Sequence, residues 1–175
     1  MAKRNGVSIR GDFLNFLTGT LSESVASTFR ELEVDTNLSA ERGVMMEIHS
    51  FEIARIGMEL LTEIGAASSE TIGFHLARES KTSLLSINDK DIIIADIVEL
   101  ARSAAIGTDA GPLYYKFNRY QRYDFAMPIP YVKPSIFFGV QGSDASGFTG
   151  GNFRIGYTLR EIDREDFLSL LVAIQ

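Results

Sequence analysis

The sequence predicts a mainly β protein, an eight-stranded antiparallel jelly-roll sandwich with one internal helix and a short C-terminal helix. Three observations predict it. Apolar and polar residues alternate with period two through many short segments, which is the signature of half-buried strands. Gly, Pro, Asn and Asp separate those segments at regular intervals, as in all-β sandwiches and barrels rather than βαβ sheets. The chain has 175 residues, 45% of them hydrophobic, enough for one well-filled core and too few for two. The double-sheet jelly roll matches the strand count best.

The elements follow in order. Residues 1–27 form an N-terminal arm and connector, and 28–175 a single jelly-roll domain. Within the first part "DFLNFL" is too short to classify, and "TLSESVAS" reads as a polar connector that orders only against a neighbour. In "TFRELEVDT" the residues Leu32, Val34 and Thr36 fall on one face and Glu31, Glu33 and Asp35 on the other, a half-buried strand. "RGVMMEIHSFEIARI" places Val44, Met46 and Ile48 on one face and then resumes at Phe51 and Ile53 with shifted phase. That shift predicts a bulge at His49 or Ser50. "ETIGFHLARE" alternates at Ile72, Phe74 and Leu76, and "TSLLSI" reads as a short partner strand.

The period then changes. In "NDKDIIIADIVELARSAAIG" the residues Ile93, Ile97, Leu100, Ala101 and Ala104 fit one helical face, with Asn88 or Asp89 as cap and Gly107 as stop, which predicts the internal helix. Strands resume in "LYYKFNRYQ", "YDFAM", "SIFFGVQ" and "NFRIGYTLREI". Pro128, Pro130 and Pro134 space the middle ones and mark a sheet edge or a crossing between sheets, because Pro cannot donate to a ladder. In "DREDFLSLLVAI" Asp163 precedes Phe167, Leu170, Leu171 and Ile174, the pattern of a capped amphipathic helix.

Composition excludes several chemistries. The chain has no cysteine, so it has no disulfide, thiolate metal site or cysteine nucleophile. Its longest apolar run, near the C-terminus, is far short of the roughly 20 residues of a membrane helix, so no membrane insertion is expected. A net charge of −6 gives the molecule as a whole no attraction to nucleic acid. The basic cluster at the amino end is Lys3, Arg4 and Arg10, which is either a nucleic-acid contact or a solvated terminus.

Only two histidines are present. Gly43, His49, Glu52 and Gly57 loosely echo the first metal motif of cupins, but Phe51 stands where a second histidine belongs and no later motif follows, so no metal or other cofactor is expected. His75 alternates with Phe74 and Leu76 and reads as an outward-facing strand residue. A pairing with Ser80 or Ser83 lacks any nucleophile motif. No phosphate loop is found either. Tyr115, Phe117 and Arg119 share one phase of "YYKFNRYQRY" and Tyr114, Lys116 and Tyr120 the other, which suits a core plus a partner surface better than a base-stacking platform. The chain is therefore not expected to be an enzyme.

From Asp124 to Leu171, "DFAMPIPYVKPSIFFGVQGSDASGFTGGNFRIGYTLREIDREDFLSLL" resembles the single jelly-roll capsid proteins of small icosahedral viruses. The shared pattern is a Pro-bounded strand, a "GVQG" strand ending in a small-residue loop, and an "RIGYTL" strand followed by a short helix. The resemblance implies a structural virion protein, made in the host cytoplasm, that self-assembles into an icosahedral shell enclosing the genome. Its implied partners are other copies of itself in a large homo-oligomer, the genome through Lys3, Arg4 and Arg10, and other virion proteins. Three basic side chains are few against a genome, so most of its charge is left to other cations or proteins. Phe148 in the Gly142–Gly151 loop, and Phe167 and Leu171 in the terminal helix, are the expected subunit contacts, although the helix is expected to pack mainly on its own domain. The alternative is a jelly-roll carbohydrate- or ligand-binding module, such as a spike or cement protein. Six tyrosines keep that alternative open, and the absence of tryptophan weighs against it.

Overall fold

The structure is a computed structural model that describes residues 14–39, 41–56, 69–84, 88–101, 120–143 and 150–173. Eight strands form: β1 (Asn15–Ser22), β2 (Arg30–Asp35), β3 (Val44–Ile56), β4 (Ser69–Ala77), β5 (Ile92–Ala101), β6 (Tyr120–Tyr131), β7 (Ser135–Ser143) and β8 (Gly150–Glu161). A helix, α1 (Arg164–Ala173), closes the described chain. Sheet A has the order β1-β8-β3-β6 and sheet B the order β2-β7-β4-β5.

The pairing is nested. The first strand lies antiparallel to the last, the second to the seventh, the third to the sixth and the fourth to the fifth. One long hairpin folded over on itself gives this pattern, and the β3–β8 and β4–β7 pairings complete the two sheets. The product is the jelly-roll sandwich that the alternating segments predict.

Both sheets send aromatic rings to the centre. Phe51 and Phe153 come from sheet A, and Phe74 and Phe138 from sheet B. Their centroids lie 4.4 Å apart for Phe138–Phe153 and 5.5 Å for Phe51–Phe74. Each such ring contributes about 1.5–3 kcal/mol on burial. The bulge in β3 falls where the phase shift places it: the register slips between Ile48 and Ser50 against both neighbours.

The edge strand β6 carries a larger irregularity. Ile129 pairs with Ile48 and Asp124 with Ser50, so residues 125–128 have only His49 opposite them. Pro128 and Pro130 therefore sit in an edge strand, where a missing donor is tolerated. Met127 protrudes there and is 80% exposed.

Several expectations are corrected. Over residues 92–101 the predicted internal helix is strand β5, paired with β4 through nearly its whole length, while Ala104 and Gly107 lie outside the described residues. The inward positions of β5 are Ile94, Asp96 and Val98, opposite Leu76, Phe74 and Ile72, while Ile97 turns outward and is 57% exposed. The register skips Ile93, which packs against the core as well, so a one-residue slip and an inward carboxylate broke the period-two signal and left a false helical one. Strand pairing begins at Asn15, so residues 15–22, assigned to the arm and connector, belong to sheet A. "LYYKFNRYQ" and "YDFAM" are not separate strands over the described residues: Tyr120 to Tyr131 is one strand, and Leu113–Arg119 lie outside the described residues. Thr82–Leu84 of "TSLLSI" form no strand, and residues 85–87 lie outside. Gly142, Gly150 and Gly151 are strand residues rather than loop.

Candidate functional site

The outer face of sheet A gathers charge around one carboxylate. The bulge in β3 turns Glu52 outward between Phe51 and Ile53, opposite Arg122 of β6 and Arg154 of β8. Tyr120 donates its hydroxyl to Glu52 Oε2 at 2.6 Å, Arg122 Nη1 reaches Oε1 at 3.1 Å, and Arg154 Nε reaches Oε2 at 3.0 Å. The Tyr120 bond above all, then Arg154 and Arg122, hold the Glu52 carboxyl below the usual carboxylate range against the opposing cost of burial. Arg122 also pairs with Asp124 at 2.7 Å. The Arg154 guanidinium lies 4.7 Å from the centroid of Phe16 on β1. Glu52 is 4% exposed while the side chains of both arginines are nearly half exposed. The result is a surface of half-exposed guanidinium groups beside the half-exposed Phe16 and Tyr120 rings. An ionised carboxylate held by cations is poorly suited to general acid work.

A second constellation joins the sheets. Arg55 continues the inward phase of Phe51 and Ile53, and its Nη2 meets Asp96 Oδ2 of β5 at 2.5 Å. Tyr123 of β6 donates to the same oxygen at 2.6 Å, and Gln121 accepts from Arg55 at 3.2 Å. Arg55 also lies 5.3 Å over the Phe74 ring. Burial, then the bond to Asp96, pushes the Tyr123 hydroxyl well above the usual phenol range. A buried arginine is thus matched by a carboxylate from the opposite sheet.

The centre of the outer face of sheet B is covered. Leu84, after β4, occupies the space above Gly73, where a Cβ would stand 2.1 Å from Leu84 Cδ2. His75 lies beside Gly139, whose added Cβ would stand 2.5 Å from His75 Nε2 and 2.8 Å from the Phe29 ring. The Phe29 and His75 rings are 5.6 Å apart. His75 is fully buried. Burial lowers its pKa to about 4, with the Lys81 ammonium adding to the effect and Asp89 opposing it. His75 therefore takes the outward phase expected of it but not the expected exposure.

His49 and Ser80, two of the residues considered for chemistry, are otherwise engaged. His49 shares a hydrogen bond with Thr158 at 2.8 Å, and Ser80 donates to Glu31 at 2.6 Å. Among the described residues no group of three or more His, Asp or Glu is placed to hold a metal ion, and no helix is long and apolar enough to cross a membrane.

Of the expected contact residues, Lys3, Arg4, Arg10 and Phe148 lie outside the described residues. Phe167 is 3% exposed and packs with Met45 and Val132 of its own domain. Leu171 is half-buried at the margin of the same cluster. Asp163 caps α1, accepting from the Asp166 N–H at 2.9 Å. The helix turns Leu168 and Val172 to the outside.

Sequence reasoning did not single out Arg55, Asp96, Glu31, Lys81 or the partners of Glu52. A usable signal existed for the first two, since opposite charges at inward phases of two strands call for each other. No family model matches the chain, and no curated protein matches it.

Proposed function

We propose that this chain is a structural virion protein that assembles with copies of itself into an icosahedral shell around a genome. The observation that carries the reading is the jelly-roll strand order combined with the resemblance from Asp124 to Leu171, which spans β6, β7, β8 and α1 in the order the capsid pattern requires. The fold alone serves lectins and cupins as well, so the resemblance supplies the choice among them.

The physics of the fold suits the role. Nested pairing makes a rigid block whose connections gather at its ends, where they vary without disturbing the core. A closed shell also requires several distinct contact surfaces on each copy. Among the described residues, exposed apolar side chains stand on four separate elements: Leu14 and Phe16 beside and on β1, Ile97 on β5, Met127 on β6, and Leu168 and Val172 on α1. In this reading Lys3, Arg4 and Arg10 meet the genome.

Light scattering on the purified full chain, with negative-stain images of what elutes, tests the proposal. Uniform hollow particles of megadalton mass are expected. A monomer unchanged by salt, pH and concentration would overturn self-assembly, and glycan arrays would then test the ligand-binding alternative.

A further inference from the structure

We propose that the covered centre of sheet B is an acid-released latch, in which protonation of His75 drives residues 78–84, which follow β4, off the sheet. This inference is independent of shell assembly and rests on how the cover is held.

The latch has a polar rim and an apolar centre. Lys81 Nζ binds Asp91 at 2.6 Å and Asp89 at 3.3 Å, just before β5. Glu31 on β2 accepts from the Ser80 hydroxyl at 2.6 Å and from the Lys81 backbone N–H at 2.8 Å, tying this segment to the sheet. The Arg78 N–H donates to the Asp91 carbonyl at 2.8 Å, and Arg78 Nη1 to the Lys90 carbonyl at 3.0 Å. Inside this rim lie Leu84, Phe29 and His75, over Gly73 and Gly139. The imidazole is closed to solvent, with the Phe29 ring against it and Leu84 over the neighbouring outward position, Gly73.

A proton on His75 creates a cation in a site closed to solvent. The charged groups around it are Lys81 after β4, Asp89 and Asp91 before β5, and Glu31 on β2. The adjacent positions on β7 and β5, Gly139 and Ala95, carry no charge. The nearest cation, Lys81, is repulsive, and its own pKa is raised, first by the bond to Asp91, so it stays charged. Asp89 is held below the usual carboxylate range, first by the Asp91 N–H, so it does not titrate ahead of the histidine.

The linkage has one sign. A histidine with a folded value of about 4 against 6.5 when exposed binds protons more readily in the open form. Acid therefore favours opening between pH 6.5 and 4 and adds nothing further below pH 4. From pH 7 to pH 5 the open fraction rises about 20-fold.

Hydrogen exchange followed by mass spectrometry on the full chain, corrected for the chemical effect of pH, tests this. The expected result is that protection in 78–84 falls about 20-fold from pH 7 to pH 5 while β3 and β8 hold theirs, and that His75→Gln removes the dependence. Equal protection at both pH values overturns the proposal, as does a His75→Gln chain with an undiminished response. Should His75→Gln fail to fold, His49→Gln leaves a single imidazole for proton NMR. Its titration then coincides with the loss of protection in 78–84, and a titration near 6.5 with the cover still protected overturns the latch.

Discussion

The two outer faces of the sandwich solve opposite problems with the same strand geometry. Sheet A balances its charges in place, with the buried Glu52 at the centre and the half-exposed Arg122, Arg154 and Tyr120 around it. Sheet B has glycines at the matching outward positions, Gly73 and Gly139, and accepts a cover of Leu84 and Phe29 that shuts His75 away from water. The open face keeps its ionisable hub charged, and the covered face keeps its ionisable group neutral. What lies outside a strand, as much as its own alternation, decides the chemistry of its outward side chains.

Beneath both faces lies one core, and breaking it gives the largest effect. Phe138→Ala is expected to cost about 3–5 kcal/mol and to destabilise both faces together, read from denaturant midpoints. Arg55→Met comes next, at about 3 kcal/mol, because it strands Asp96 between the sheets. A well-packed variant with unchanged stability would show that the clasp contributes nothing net.

Two substitutions separate the faces. Gly139→Ala forces His75 and Phe29 aside and is expected to cost about 2 kcal/mol, with exchange rising in 78–84 and unaltered in β8. Glu52→Gln touches sheet A alone and is expected to cost about 1 kcal/mol, since its arginine partners are half solvated. The pH profiles then divide. His75 withdraws stability as pH falls from 6.5 towards 4. Glu52, whose carboxyl is lowered from 4.5, supports the fold above that value and loses its contribution only as pH falls through its own, lower pKa. His75→Gln therefore flattens thermal stability between pH 6.5 and 4.5, and Glu52→Gln flattens it only below. Met127→Ser, on the exposed bulge, is expected to stay within about 0.5 kcal/mol and is a control for both.

Much of the framework was legible because it is written locally. The β3 bulge could be read from the phase change between Ile48 and Phe51, and the start of α1 from Asp163 ahead of an apolar stripe. β5 was not legible, because Asp96 faces inward on account of Arg55, which is distant in sequence and supplied by the other sheet. β1 was hidden for a related reason: its apolar residues are few, and its place is set by pairing with β8 at the far end of the chain. The candidate sites follow the same rule. Glu52 was visible as an outward carboxylate, but its arginines become neighbours only once β6, β3 and β8 are set side by side. His75 had the right phase, and nothing in a strand's own pattern states what will be laid over it.

The comparison of faces depends on His75 being closed off while neutral. Carbonate-ester modification of histidine at pH 7, which requires a neutral and accessible imidazole, tests that directly when the modified chain is digested and mapped. His75 is expected to remain unmodified in the folded protein and to react once the protein is unfolded. Modification of His75 in the folded chain at the rate of a free imidazole would contradict the covered face and the distinction built on it.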